Sequence, residues 1–108
     1  MPTEISARDL AVEIENGQPI FLLDVRQPSE NERARLPGSV LIPLNELAAR
    51  AAEIPDDPQT VIVAYCHHGI RSLNAAVFLR RLGHENVRSL AGGIDAWSCD
   101  VDPQVPRY

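Results

Sequence analysis

The sequence predicts an α/β domain built around a mainly parallel β-sheet. Apolar runs rich in β-branched residues alternate along the chain with segments whose apolar residues recur at helical spacing. The apolar runs are continuous, which is typical of strands that are buried on both faces of a parallel sheet. At 108 residues the chain has room for one such domain, which we predict over residues 1–108.

The first half of the chain is predicted to supply two helices and two strands. "SARDLAVEIENG" indicates a helix in which Ser6 is the N-cap and Gly17 follows the last turn. "PIFLLDVR" then indicates a strand, and the polar stretch "QPSENERARLPG" predicts a short helical turn inside a loop. "SVLIP" indicates a second short strand. In "LNELAARAAEI" the apolar spacing predicts a helix, which "PDDPQ" ends.

The second half is predicted to continue the same alternation. "TVIVAYC" indicates the central strand, and the apolar spacing of "RSLNAAVFLRRLG" predicts a helix that ends at Gly83. Arg80 and Arg81 of this helix are expected to reach solvent. "ENVRSLAGG" indicates a short strand and "GIDAWS" a turn of helix, while "CDVDPQVPRY" is expected to be an extended tail.

Composition excludes several classes of function. The formal net charge is −5, which argues against nucleic-acid and anionic-membrane partners because both require a positive surface. The chain contains no Lys, so Schiff-base chemistry is excluded. No signal peptide and no membrane span is recognisable, and the two cysteines are too few for a disulfide scaffold. We therefore expect a cytoplasmic protein with reduced thiols.

The stretch "CHHGIRS" lies where the central strand is predicted to turn into a helix. Ligands of parallel sheets bind beyond the carboxyl ends of the strands, and Cys66 is placed at such an end. Backbone N–H groups and the helix dipole at such a turn favour a thiolate. Gly69 allows successive N–H groups to point inward, and Arg71 can bind one oxyanion through two hydrogen bonds. The loop is thus suited to a cysteine nucleophile and an anionic substrate.

Two other interpretations of this loop compete with catalysis. Cys66 can be a small buried hydrophobic residue, as most single cysteines are. A metal site made of Cys66, His67 and His68 is disfavoured because adjacent ligands point in different directions, and no second pair has zinc-like spacing. We therefore expect neither a metal nor an organic cofactor.

The loop resembles the active-site loop of the rhodanese-like sulfurtransferase family, since "LLDVR", "LPGSVLIP" and "LAGGIDAW" accompany it in the expected order. The resemblance runs from Ile5 onward and implies a three-layer domain. In that family a mainly parallel sheet of about five strands carries helices on both faces. Protein tyrosine phosphatases resemble it less, because their loop between the cysteine and the arginine is longer.

This resemblance implies a chemistry and a set of site residues. Cys66 would take sulfane sulfur from a donor such as thiosulfate or a persulfide and pass it to a thiophilic acceptor. The acceptor would be cyanide, a small thiol, thioredoxin or a sulfur-carrier protein. The loop residues implied to cradle the transferred sulfur or bind substrate are His67, His68, Gly69, Ile70 and Arg71.

The chain departs from the family pattern in ways that bear on the donor. Ala34 to Ser39 replace a common Gly-His-Ile-Pro-Gly-Ala stretch, a change expected to affect packing. His67 and His68 stand where efficient thiosulfate-cleaving members have Arg and Lys. A histidine pair is only partly cationic at neutral pH, so the physiological donor need not be thiosulfate.

Residues outside the loop are expected to have supporting or incidental roles. Asp24 and Arg26 end a strand at the predicted active edge, where they would brace the loop or simply form an ion pair. Trp97 is expected to anchor the last helix in the core. Cys99 is expected to be a bystander thiol. The alternatives to catalysis are a non-catalytic binding or redox-sensing module and, less favoured, a relative that handles arsenate or phosphate.

Overall fold

A computed structural model of the protein describes residues 3–108. Its strands are β1 (Glu4–Ile5), β2 (Ile20–Asp24), β3 (Val40–Leu41), β4 (Val61–Tyr65) and β5 (Val87–Leu90). All pairings are parallel, and the strand order is β1-β5-β4-β2-β3. The predicted parallel sheet is therefore confirmed, with β4 at its centre.

Within residues 3–108, four α-helices connect these strands and a fifth follows β5. They are α1 (Ala7–Glu15), α2 (Pro28–Arg33), α3 (Leu47–Arg50), α4 (Ile70–Arg81) and α5 (Gly93–Asp100). Short 3-10 turns at 44–46 and 51–53 flank α3, so the single helix predicted over 44–54 is interrupted. In this segment only Leu47 and Ile54 are buried in the core, so packing imposes little helical regularity. No helix among residues 3–108 is long and apolar enough to cross a membrane.

The central strand β4 separates two hydrophobic cores because its successive side chains point to opposite faces of the sheet. Ile62 and Ala64 belong to the core beneath α4, whereas Val63 and Tyr65 belong to the core beneath α1 and α5. All five residues of β4 are buried. Helices cover both faces of the sheet and bury β4 from both sides. This two-sided burial explains why the sequence of β4 is a continuous apolar run.

The two ends of the chain differ most from the sequence-based prediction. β1 was missed because two residues are too few to produce a periodic pattern. α5 extends to Asp100, beyond the predicted turn. The segment after α5 was expected to be extended, but it folds back on the domain. Val105 is buried in the core beneath α1 and α5, and Tyr108 packs against the same core.

The two arginines at the end of α4 have different environments. Arg81 is exposed, as predicted. Arg80 is half-buried, and it donates hydrogen bonds from Nε (3.0 Å) and Nη2 (2.8 Å) to the Val87 carbonyl, so only part of this residue faces solvent. A long arginine side chain can lie along the domain surface while its guanidinium bonds to an adjacent strand.

Candidate active site

Cys66 follows β4 directly and lies at the carboxyl edge of the sheet. The neighbouring strand β2 ends level with β4, because Asp24 is in register with Tyr65. The Cys66 side chain is almost completely enclosed, with 1% of the residue exposed. The structure thus has the strand, loop and helix that the sequence predicted around this cysteine.

The Cys66 sulfur is surrounded by hydrogen-bonding groups from the start of α4. The backbone N–H groups of Gly69 and Ser72 donate to Sγ at 3.1 and 3.4 Å. The Ser72 hydroxyl lies 3.4 Å from Sγ and 2.7 Å from the Ser89 hydroxyl, and both serines are fully buried. Donors converging on one sulfur stabilise negative charge there, which is what a thiolate nucleophile or a persulfide requires.

The N-terminus of α5 holds the loop in this conformation. The N–H groups of Ile94 and Asp95 donate to the carbonyls of Cys66 and His67 at 2.8 and 3.2 Å. Gly93 makes this approach possible, since a Cβ at this position would overlap both carbonyl oxygens. Gly69 has φ +111°, a conformation that glycine adopts readily. The predicted role of Gly69 in curling the loop therefore has a geometric basis.

The two loop histidines form a stack with a residue from the segment after α5. The centroid of the His67 ring lies 4.0 Å from that of the His68 ring and 4.0 Å from that of the Tyr108 ring, with interplanar angles of 23° and 10°. His68 Nε2 is 4.0 Å from an Asp95 carboxylate oxygen. His67 and Tyr108 thus form one wall of the site, and His68 lies at its exposed rim.

His67, His68 and Asp95 bring three possible metal ligands within 4.8 Å of one another. The two imidazoles are stacked with an interplanar angle of 23°, so their lone pairs lie in two nearly parallel planes that do not converge on one point between the rings. The Asp95 carboxylate also accepts hydrogen bonds from Arg107 at 2.8 and 3.4 Å. This geometry does not suit a tetrahedral metal site.

Arg71 makes a two-point ion pair with Glu30 of α2. Its Nη1 and Nη2 atoms lie 2.6 and 2.9 Å from the two carboxylate oxygens. These hydrogen bonds raise the pKa of the Arg71 guanidinium, and the charge of Cys66 raises it further. Arg71 was expected to hold an oxyanion, and in this structure the two-point partner of its guanidinium is the Glu30 carboxylate.

Asp24 and Arg26 form a buried ion pair that ties this edge of the domain together. Arg26 Nε and Nη2 each donate to an Asp24 oxygen at 2.8 Å, and both residues are 0% exposed. Arg26 also donates to the Tyr108 hydroxyl and to the Ala34 and Glu30 carbonyls. Five acceptors therefore meet the five N–H groups of the guanidinium, which makes its burial tolerable.

Several residues of the site were not identified from the sequence. Glu30 belongs to a polar stretch of ordinary composition, and Tyr108 is distant in sequence from Cys66. Ser72 follows the loop, but a serine near a helix start is too common to indicate a site. Only Gly93 carried a signal, as part of the "LAGGIDAW" motif.

The rhodanese-like domain family matches residues 6–100 of this chain. The chain belongs to the rhodanese-like family. In this rhodanese-like domain the cysteine loop, the two strand-end charges and the glycines before α5 all meet at one edge of the sheet. The resemblance inferred from the four sequence motifs is thus confirmed.

Relatives of this rhodanese-like domain include short and long proteins. A sulfurtransferase of Allochromatium vinosum is 34% identical over 98 residues, which cover 91% of this chain and 90% of that protein. A solved rhodanese-related protein from Thermoplasma volcanium is 32% identical, with a TM-score of 0.84 over 99% of this chain and 100% of that one. The adenylyltransferase and sulfurtransferase MOCS3 of Drosophila ananassae is 37% identical over 97 residues, covering 84% of this chain but 22% of that protein. Sulfurtransferases are therefore established members of the family.

Replacing Gly93 by alanine is expected to disrupt the cysteine loop. The new Cβ would overlap the carbonyls of Cys66 and His67, and the residue already has φ +62°. We expect Gly93→Ala to lower the free energy of unfolding by about 2–4 kcal/mol. Chemical denaturation measures this change.

Gly17→Ala is the matched control for this substitution. Gly17 also has a positive φ of 80°, but no atom lies within 4 Å of the position of its Cβ. We expect it to cost about 1–2 kcal/mol, the strain of the backbone conformation alone. If both variants lose the same free energy of unfolding, the close contact between Gly93 and the loop carbonyls does not contribute to the loss.

The ionisation of Glu30 is expected to make the free energy of unfolding depend on pH in the acid range. Hydrogen bonds from Arg71 chiefly lower the pKa of Glu30 from 4.5 to about 2, although burial opposes this. A lowered carboxyl pKa contributes stability that is complete above pH 4.5 and is lost as the pH falls toward 2. Glu30→Gln should therefore destabilise the protein at pH 7 by about 1–2 kcal/mol, and by much less near the lowered pKa.

The measurement is denaturant unfolding of both proteins at several pH values from neutral to strongly acid. Glu32→Gln is the control, since Glu32 is exposed on the same helix and loses the same charge. A destabilisation by Glu30→Gln that stays constant across the acid range would contradict the lowered pKa.

Proposed function

We propose that this protein is a sulfurtransferase that carries sulfane sulfur as a persulfide on Cys66. The observation that carries the proposal is the convergence of two backbone N–H groups, from Gly69 and Ser72, on an almost fully enclosed cysteine sulfur. A structural cysteine needs no such donors, because a thiol is a weak hydrogen-bond acceptor. Membership of a family that contains sulfurtransferases supports the same chemistry.

The first step of the proposed reaction loads sulfur onto the enzyme. The Cys66 thiolate attacks the outer sulfur of the donor, and a new S–S bond forms. The bond between that sulfur and the rest of the donor breaks, and its electron pair leaves with sulfite when the donor is thiosulfate. With an organic persulfide the pair leaves on a thiolate, which takes up the proton of the persulfide. Charge and atoms balance in both cases, and no metal or organic cofactor is needed.

The second step returns the thiolate. A nucleophilic acceptor attacks the outer sulfur of the persulfide, a bond forms between them, and the S–S bond breaks with its electron pair on Cys66. Cyanide, a small thiol, thioredoxin and a sulfur-carrier protein all have the required nucleophile. The nearly complete burial of Cys66 favours acceptors that present this nucleophile on a slender, extended group.

The loop residues are proposed to act mainly through their backbone. The N–H groups from His67 through Arg71 would line the turn that receives the outer sulfur, at the N-terminal end of α4. The Ile70 side chain is 77% exposed, so Ile70 would contribute its backbone to the cradle and an apolar surface to a docking partner. The partly exposed side chains of Arg71 and His68 border the opening of the site, which we call its mouth, and there they would meet the donor.

Asp24 and Arg26 are proposed to support the loop from outside it. Their ion pair holds Tyr108, whose ring in turn covers His67. They would therefore position one wall of the site without touching the sulfur. Neither is expected to take part in proton or sulfur transfer.

Replacing Cys66 by serine should abolish sulfur transfer, because a hydroxyl at this position cannot form the persulfide. We expect intact-mass measurement after incubation with thiosulfate or a persulfide to show one added sulfur atom on the wild type and none on Cys66→Ser. Turnover with cyanide as acceptor should fall at least about 1,000-fold, as expected when a covalent nucleophile is removed.

Cys99→Ser is the matched control, since Cys99 is exposed on α5 and loses the same atom. It should retain both the sulfur adduct and the turnover. Equal loss in the two variants would show that Cys99 takes part in the reaction. A wild-type protein that gains no sulfur from any donor would favour a binding or sensing module instead.

A further inference from the structure

The ion pair between Arg71 and Glu30 occupies the positions at which an oxyanion would bind. Arginine holds carboxylates and other oxyanions with the same two parallel N–H bonds. Here Nη1 and Nη2 of Arg71 are both directed at Glu30, at 2.6 and 2.9 Å. The carboxylate of the protein therefore stands where a donor oxyanion would otherwise meet the guanidinium.

Glu30 is held at this position by more than Arg71. Its carboxylate accepts hydrogen bonds from the Gln27 N–H at 3.1 Å and from the Tyr108 hydroxyl at 2.8 Å. Tyr108 in turn accepts a hydrogen bond from buried Arg26 at 2.8 Å. Because these groups together fix the carboxylate, it is not free to swing away when a donor arrives, unlike an exposed glutamate.

The pair lies beside the surroundings of the Cys66 sulfur, because Arg71 directly precedes Ser72, whose N–H donates to Sγ at 3.4 Å. Tyr108, which bonds to Glu30, stacks on His67 next to Cys66. Arg33 is a further cation at this rim, and its guanidinium is 5.5 Å from the Tyr108 ring centre and exposed to solvent.

We propose that Glu30 sets the donor preference of the site by neutralising Arg71. The site would then disfavour small dianionic donors such as thiosulfate and favour persulfides, whose sulfur group carries at most one negative charge. This inference rests on the proposed sulfurtransferase function and names the class of donor.

The proposed donor preference rests on the net charge that a donor meets at the mouth. The ion pair of Arg71 and Glu30 has no net charge, while the Cys66 thiolate repels an approaching anion. Repulsion is proportional to the charge of the donor, so a dianion is disfavoured twice as strongly as a monoanion. The Glu30 carboxylate also occupies the fork formed by Nη1 and Nη2, so a donor oxyanion can meet only the remaining three N–H groups of the guanidinium.

Glu30→Gln is the test, because the amide keeps a side-chain oxygen for the N–H of Gln27 but removes the charge. We expect kcat/KM with thiosulfate to rise about fivefold, an effect that shrinks at high salt. With the persulfide of 2-mercaptoethanol we expect a rise of about twofold, since halving the donor charge halves the change in free energy. Arg71→Ala should act in the opposite direction and lower thiosulfate use more than persulfide use.

Glu32→Gln is the matched control on the same helix. Glu32 is exposed and its loss changes the net charge equally, so both donors should be used as by the wild type. If Glu30→Gln changes thiosulfate and persulfide use by the same factor, or changes neither, the inference is overturned. It is also overturned if Glu32→Gln raises thiosulfate use as much as Glu30→Gln does.

A binding measurement separates this inference from the proposed function. In the Cys66→Ser background no sulfur is transferred, and calorimetric titration with thiosulfate reports binding at the mouth alone. We expect Glu30→Gln in that background to tighten thiosulfate binding about fivefold, with no such change for Glu32→Gln. Tighter binding without any persulfide on the wild type would refute the sulfurtransferase function and retain the charge selection. A persulfide on the wild type without tighter binding would refute the charge selection alone.

Discussion

The cysteine loop depends on one close backbone contact, between the start of α5 and the carbonyls of Cys66 and His67. With these carbonyls bonded to the Ile94 and Asp95 N–H groups, the following N–H groups are left to face the sulfur. Gly93 permits the contact because it has no side chain. The strand order contributes as well, since β4 and β5 are parallel neighbours whose carboxyl ends meet at one edge of the sheet.

Around this inner contact lies a second layer made of paired charges. The buried Asp24 and Arg26 pair costs desolvation, and full satisfaction of the guanidinium offsets that cost. Through Tyr108 this pair connects the end of β2 with the segment after α5 and with Glu30. Cys66 and the rim of the site are therefore held by different means, Cys66 by main-chain groups and the rim by ion pairs and stacked rings.

Much of the fold was predictable because its strands are buried on both faces and produce long apolar runs. The position of Cys66 followed from the same pattern, since a strand that turns into a helix defines an edge of the sheet. Glu30 and Tyr108 were not predictable, because their roles depend on contacts between distant segments and their local sequence is ordinary. The broken helix around α3 was also missed, since spacing alone does not reveal how weakly its residues are packed.

The main-chain construction of the cradle has a consequence for how such a site can evolve. Side chains at His67, His68 and Ile70 can be exchanged without removing the N–H groups of Gly69 and Ser72 that face the sulfur. Ile70 in particular is 77% exposed to solvent. Substitutions at the rim can therefore change what binds there while the hydrogen bonds to the Cys66 sulfur are kept, so that the proposed chemistry and the recognition of partners can evolve separately.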